Sequence, residues 1–173
     1  MPEPLRFQEL VLPHLDAGYN LARWLARDEH DAEDVVQEAC LRALKYEAAL
    51  RPAEARPWFL TIVRHAYYDW CRRNRPAELV HDAQEELAAM ADPQAIDPEQ
   101  AALQRADARR LTEALATLPL AFREALILRE LEELSYKEIA QVTGVPAGTV
   151  MSRLARGRAL LQRALQSAPA QTA

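Results

Sequence analysis

Apolar residues recur along most of the chain at intervals of three and four positions, the period of an amphipathic α-helix. The first such stretch covers residues 7–22, and a second covers residues 35–44 after a charged bend at 27–31. Asp31 is expected to cap the second helix. A third helix is predicted from about Trp58 to Arg73. The sequence has no alternating β-branched runs, so we predict an all-α fold.

The periodic pattern fails between Arg75 and Glu99. Residues 75–100 hold three prolines and seven acidic side chains but only one basic side chain. A segment of this composition buries little apolar surface and is typical of a flexible acidic linker. We therefore predict two small helical domains, at residues 1–75 and 100–166, joined by a linker at 76–99. The polar tail at 167–173 is expected to be disordered.

The last third of the chain carries the pattern of a helix-turn-helix. Ser135 and Glu138 stand three residues apart before an apolar run, which predicts a capping box. Gly144 is placed to end the first helix in a left-handed conformation, and Pro146 to begin the second. Val150 and Leu154 then return to the core at a spacing of four.

The second helix of this motif is expected to bind DNA in the major groove. Residues 147–166 contain four arginines and no acidic residue, although the whole chain has a net charge of −5. The alternative is a helical hairpin with a solvated basic face. Gly157 interrupts the helix, where it costs about 1 kcal/mol relative to alanine. The side chains predicted to face DNA are Gly148, Thr149, Met151, Ser152, Arg153, Arg156 and Arg158.

Hydropathy, cysteines and histidines argue against a membrane protein, a secreted protein and a metalloprotein. No apolar stretch approaches the roughly 20 residues of a membrane helix, and the first residues lack a secretory signal, so we expect a cytoplasmic protein without membrane insertion. Cys40 and Cys71 form no CxxC pair and are interpreted as buried structural thiols. The four histidines are scattered, and neither a metal-ligand cluster nor a phosphate-binding glycine loop is present. We predict no catalytic residue, metal or cofactor.

With these motifs in place, the chain resembles the bacterial extracytoplasmic-function sigma factors, the small two-domain members of the sigma-70 family. Residues 134–140 and 148–154 resemble the fourth conserved region of that family, and Leu118-Pro119 with residues 123–126 fits the same region. Residues 31–38 resemble the polymerase-binding helix of the second region. Residues 56–64, followed by Asp69, Arg72 and Arg73, resemble its promoter-opening helix.

The resemblance implies a protein that binds core RNA polymerase, promoter DNA and an anti-sigma factor. It places polymerase binding on Asp34, Gln37, Glu38, Leu41 and Arg42. The −35 element would be bound by the helix-turn-helix. Melted −10 DNA, which a basic surface with aromatic rings can hold, would be bound by Trp58, Arg64, His65, Tyr68, Arg72 and Arg73. His65, Met151 and Ala155 depart from the family's usual residues and leave the promoter sequence open.

Other interpretations stay open at this point. Acidic residues in a first helical turn usually act as partners of the helix dipole. Trp58 and Trp70, at helical spacing, are more typical of core packing than of DNA binding. A stand-alone helix-turn-helix regulator is the second hypothesis for function. Such a regulator would usually dimerise on a palindrome, and the sequence has no heptad seam. An enzyme is the third.

Overall fold

The computed structural model describes residues 4–79 and 108–167, and within these ranges the chain is helical with no strand. The predicted all-α fold is thereby confirmed. In the N-terminal unit the helices are α1 (Pro4–Leu10), α2 (Leu15–Ala26), α3 (Glu29–Tyr46) and α4 (Ala55–Asn74). In the C-terminal unit they are α5 (Ala108–Thr117), α6 (Leu120–Leu126), α7 (Tyr136–Thr143) and α8 (Ala147–Ser167).

The first amphipathic stretch is divided, and the prediction of one continuous helix over residues 7–22 was wrong. A 3₁₀ turn at Leu12–His14 separates α1 from α2. Pro13 lies in this turn and has no N–H to continue an α-helical ladder, so the chain changes direction there. The apolar period continues through the turn because both helices pack on the same core.

The start of α3 also differs from the prediction. The N-cap is Asp28, not Asp31, and the Asp28 carboxylate accepts a hydrogen bond of 3.0 Å from the Asp31 N–H. Asp28 has extended backbone angles, which allow its side chain to reach back over the first turn. Asp31 instead lies in that first turn, where its charge favours the helix dipole.

The helix-turn-helix has the predicted local structure. The Ser135 hydroxyl accepts a hydrogen bond of 3.1 Å from the Glu138 N–H, and the Glu138 carboxylate accepts one of 2.8 Å from the Ser135 N–H. Gly144 ends α7 with φ of 71°. Helix α8 begins at Ala147, one residue later than predicted, and the Pro146 carbonyl accepts the first helical hydrogen bond, from Val150. The capping box and the glycine stop are thereby confirmed.

Gly157 has a packing role that the sequence did not reveal. It is buried where α8 crosses α6, and a Cβ at this position would lie 3.2 Å from two side-chain carbons of Leu126 and 3.3 Å from the Phe122 carbonyl oxygen. The glycine is therefore the residue that lets these two helices approach closely. Gly157 lowers the helix propensity of α8, but it allows α8 and α6 to pack more closely.

The linker prediction was wrong at its beginning. Residues 76–79 are helical, and Glu78 pairs with Arg123 of the C-terminal unit. Leu79 packs against the apolar core. Arg123 is buried and charged, so it requires a partner, and Glu78, two residues after Pro76, supplies the carboxylate. The rest of the predicted linker, and residues 168–173 of the predicted tail, lie outside the described residues.

The two units pack against each other. Helix α4 contacts α7, and α2 contacts α6. Buried apolar residues of both units, from Leu21 and Phe59 to Phe122 and Ile127, belong to one contiguous cluster. The candidate functional helices α4 and α8 therefore belong to units that share a core. Over residues 4–79 and 108–167, no helix combines the length and hydropathy that a membrane crossing requires.

Candidate functional site

The first candidate surface is one face of α3. Asp34, Gln37 and Leu41 are spaced at three and four positions and are all exposed. Leu41 is 64% exposed, and Leu44, three residues further on, is 48% exposed. The opposite face of α3 is buried through Ala32, Val35 and Ala39, so the exposed leucines contribute nothing to the core. An apolar centre flanked by polar residues is typical of a protein-binding surface.

The two other residues predicted for polymerase binding lie in an ion-pair network. The Arg42 guanidinium is 2.9 Å from the Glu38 carboxylate and 2.8 Å from that of Asp69. Asp69 in turn pairs with Arg72. The network joins α3 to α4 along their exposed edge. Arg42 therefore also links α3 to α4, and Glu38 pairs with the Arg42 side chain within α3, in addition to any contact with a partner.

Both tryptophans of α4 pack against other parts of the protein. Trp70 stacks on Tyr67 with ring centroids 5.9 Å apart, and the Arg75 guanidinium lies 4.9 Å from the Trp70 ring centre. Trp58 is half-buried and packs against the core. These contacts agree with the packing interpretation of both tryptophans. His65, Arg72 and Arg73 are exposed and remain accessible to a ligand.

Arg64 and Tyr68, also predicted for −10 DNA, face the C-terminal unit. The Arg64 Nε–H lies 3.0 Å from both carboxylate oxygens of Glu124 in α6, and the Tyr68 hydroxyl donates to the same carboxylate at 3.0 Å. The Arg64 guanidinium also lies over the Tyr68 ring, 4.2 Å from its centre. Both side chains are thus engaged by one acceptor from the other unit.

Glu124 is almost completely enclosed, with 1% of the residue exposed. Burial raises the pKa of its carboxyl above the ordinary value, and the charges of Arg64 and Arg153, together with the Tyr68 hydrogen bond, act in the opposite direction. A buried carboxylate in this setting requires such partners, because an uncompensated charge in the interior is costly.

The start of α8 presents part of the predicted −35 surface to solvent. Gly148, Met151 and Ser152 are exposed, and Met151 is 55% exposed. The Ser152 hydroxyl donates to the Gly148 carbonyl at 3.1 Å. Thr149 and Arg156 are half-buried. This end of the helix therefore has the exposed N-terminal turn that a major-groove reader requires.

Arg153 was expected on an outer or flanking face of α8, and in this arrangement of the two units that position is not exposed to solvent. Arg153 is buried, with 8% of the residue exposed, and its charge acts on Glu124. Arg158 is half-buried and lies 2.7 Å from Glu130. Helical periodicity placed both arginines away from the core of the C-terminal unit, but it could not reveal that Arg153 is buried or that Glu130 pairs with Arg158.

Several residues that form contacts between the two units were not predicted from the sequence. Besides Glu124, the contacts between the units include Arg56 with Glu132, at 3.3 Å between charged groups, and Arg123 with Glu78. Arg123 also donates to the Leu25 carbonyl at 3.3 Å. The sequence held one sign of these contacts. Arg123 and Glu124 interrupt an apolar run, and the structure buries all of residues 120–128. Charges inside such a run must meet partners on another element.

Comparison with known proteins matches both units to one family. A family model described as Sigma-70 region 2 matches residues 10–77, and one described as Sigma-70, region 4 matches residues 108–161. The chain is 36% identical over 170 residues to the ECF RNA polymerase sigma factor SigE of Mycolicibacterium smegmatis, covering 96% of this chain and 64% of SigE. It is 32% identical over 160 residues to the ECF RNA polymerase sigma factor SigM of Mycobacterium tuberculosis, covering 92% of this chain and 76% of SigM.

A solved structure resembles the arrangement of both units. It is the sigma factor RpoE in complex with the anti-sigma factor NepR from Bartonella quintana, which superposes with a TM-score of 0.71 at 28% sequence identity. The match covers 93% of this chain and 97% of that chain. The similarity therefore extends over the N-terminal and C-terminal units together, not over the helix-turn-helix alone.

Proposed function

The chain belongs to the extracytoplasmic-function group of the sigma-70 family, and from this premise we propose that it binds core RNA polymerase and directs it to particular promoters. It would act in the cytoplasm as an initiation factor without enzymatic activity of its own, in a stress or envelope response. The observation that carries the proposal is the order of two surfaces in one chain: the exposed face of α3 precedes a complete helix-turn-helix.

The face of α3 is proposed as the polymerase-binding surface. Asp34, Gln37 and Leu41 are exposed on it, and Leu41 supplies apolar area that would be removed from water on binding. Glu38 and Arg42 would contribute at its edge, where the ion-pair network fixes their position.

The two DNA contacts are assigned to different units. The exposed N-terminal turn of α8, with Gly148, Met151 and Ser152, is proposed to read the −35 element as duplex. His65, Arg72 and Arg73 on α4, together with Arg64 and Tyr68 once they are released from Glu124, are proposed to hold melted −10 DNA. In this division, the contact with duplex −35 DNA selects the promoter. The contact with single-stranded −10 DNA stabilises the melted promoter.

An anti-sigma factor is the third proposed partner. The RpoE of Bartonella quintana is in complex with the anti-sigma factor NepR, and its similarity to this chain covers both units. A partner that contacts both units would keep the α3 face or the two DNA-binding helices from their targets.

Transcription in vitro tests the proposal. Purified chain is added to core RNA polymerase with a genomic DNA library, and start sites are mapped by sequencing the transcripts. We expect a set of start sites that depends on the chain and shares sequence elements near −10 and −35. Polymerase without the chain is the control. A chain that binds DNA but neither associates with core polymerase nor changes the start sites would be a stand-alone regulator, and the proposal would be wrong.

A further inference from the structure

We propose that Met151 selects a thymine in the −35 element, by packing its side chain against the C5-methyl group of that base in the major groove. The inference rests on the proposed function, because it takes the start of α8 as the contact with duplex −35 DNA. It goes beyond that function by naming the base that one side chain meets. The promoter should therefore contain an A·T pair whose thymine methyl faces Met151.

Met151 is the largest exposed side chain at the start of α8. Within residues 147–152, the exposed residues are Ala147, Gly148, Met151 and Ser152, and Met151 is 55% exposed. Single exposed apolar residues are common on protein surfaces, so exposure by itself assigns no role. The position does, because the N-terminal residues of a recognition helix contact base edges in the major groove.

The helix surface beside Met151 is open. Side chains on an α-helix lean toward its N-terminus and cover the turn that precedes their own Cα, so Met151 covers the surface near Gly148, three residues earlier. Gly148 has no side chain, and apart from its chain neighbours and its own helix backbone no atom lies within 4 Å of an added Cβ. A base edge can therefore approach α8 closely enough to contact Met151.

The neighbouring hydroxyl is already engaged within the helix. Ser152 donates to the Gly148 carbonyl at 3.1 Å, which leaves the Ser152 oxygen only its acceptor capacity toward DNA. The side chains of Met151 and Ser152 together offer DNA an apolar surface and an acceptor, but no donor. A base with an apolar group in the major groove is the best match for this surface.

Thymine is the base that has such a group. In the major groove, guanine, cytosine and adenine present hydrogen-bonding groups and no methyl, whereas thymine presents a methyl group beside its acceptor. The methionine side chain has no donor and only a weakly accepting sulfur, and its flexible chain adapts to an apolar neighbour. Against a G·C pair it would shield polar groups of the bases from water without pairing them, which is unfavourable.

The test removes one methyl group at a time from the DNA. Wild-type chain is reconstituted with core RNA polymerase, and its affinity is measured for a promoter mapped by transcription in vitro. Each thymine of the −35 element, on either strand, is then replaced in turn by deoxyuridine, which lacks the C5-methyl group but keeps the hydrogen-bonding groups. Competition against a labelled promoter duplex at fixed salt gives the ratio of affinities.

Three variants show whether Met151 is the group that meets the methyl. M151A removes the contact, and M151L keeps a large apolar side chain. L131A is the matched control, because Leu131 is also an exposed apolar residue of the C-terminal unit, at 41%, and lies outside α7 and α8. Circular dichroism checks that each variant is folded.

We expect one exchange of thymine for deoxyuridine to weaken the binding of wild type about fourfold, as the loss of one buried methyl group would. M151A should bind the unmodified promoter more weakly than wild type, and it should bind the two forms of that position equally. M151L and L131A should both keep the loss at the same thymine.

A wild-type affinity that no exchange alters would overturn the proposal, and so would a −35 element without an A·T pair. An equal loss in wild type and M151A would also overturn it, because the methyl would then act through another side chain or through DNA shape. Failure of the proposed function gives a different result, since wild type with core polymerase would yield no promoter. Duplexes that the free chain selects from a random library would then carry the same exchanges.

Discussion

A Cβ atom added to Gly18 of α2 would lie 2.6 Å from Cε1 of Phe59 in α4. Both residues are buried, and Phe59 has no exposed surface. Any side chain at position 18 would push the two helices apart or move the ring. The close crossing of α2 and α4 positions the face of α4 that carries Arg64 and Tyr68.

We therefore expect Gly18→Ala to lower the free energy of unfolding by about 1–3 kcal/mol, the usual cost of overpacking a core. Gly148→Ala is the matched control: it is also a helical glycine, but apart from its chain neighbours and its own helix backbone no atom lies within 4 Å of an added Cβ. That variant should be stabilised by at most about 0.5–1 kcal/mol, because this full propensity difference applies to a helix interior and Gly148 lies in the first turn. Urea unfolding followed by circular dichroism measures both. A stabilised Gly18→Ala variant would contradict the packing argument.

The α3 surface is tested by Leu41→Ala. Leu41 is 64% exposed, so its truncation should leave the free energy of unfolding within about 0.5 kcal/mol of wild type. Binding to core polymerase should weaken by about 1–3 kcal/mol if the side chain is buried in the interface. Surface plasmon resonance with immobilised core polymerase measures this affinity.

Leu12→Ala provides the control for that experiment, because Leu12 is an exposed leucine, at 44%, outside α3. It should bind polymerase as wild type does. Equal affinities of both variants and wild type would remove Leu41 from the proposed polymerase-binding surface.

The DNA-reading role of α8 is tested by Arg156→Ala. We expect weaker binding of the polymerase-bound chain to a promoter duplex, by about 1–3 kcal/mol if Arg156 reads a base. A phosphate contact would instead give a similar loss on every sequence and a salt slope lower by about one. Affinities for the mapped promoter and for a −35 mutant promoter, each over a range of salt, separate the two roles. Arg163→Ala, an exposed arginine beyond Gly157 on the same helix, should have no effect.

The two cysteines should react at different rates. Cys71 is fully buried and Cys40 half-buried, and burial raises the pKa of both thiols. A raised pKa leaves less thiolate at a given pH, so alkylation should be slow near neutral pH and accelerate as the pH rises. Mass spectrometry of iodoacetamide-treated protein should show Cys40 modified first.

In Cys40→Ser, the remaining thiol should be labelled only as fast as the chain opens, and urea should accelerate it. Rapid labelling of Cys71 in the native chain would show that the core around this residue of α4 is more accessible than its burial indicates.

Local features could be predicted from the sequence because each depends on a few neighbouring residues. The capping box at Ser135 and Glu138, the glycine stop at Gly144 and the buried stripe through Val150 and Leu154 follow from hydrogen-bonding groups and helical period alone. The same reasoning was wrong at Pro13, which ends a helix although the apolar period continues through it. It was also wrong at the start of α3, where Asp28 and Asp31 are both possible N-caps and Asp28 is the one used.

What the sequence by itself determined is therefore the helical class, the helix-turn-helix and the family resemblance of its motifs. Only the tertiary structure decided that Arg64 and Tyr68 face Glu124, that Arg153 is buried, and that Glu78 belongs to a contact between the units. The physical reason is separation along the chain: Arg64 and Glu124 are 60 residues apart. Helical periodicity tells which face of a helix is polar, but the partner of a buried charge is fixed by how two units pack.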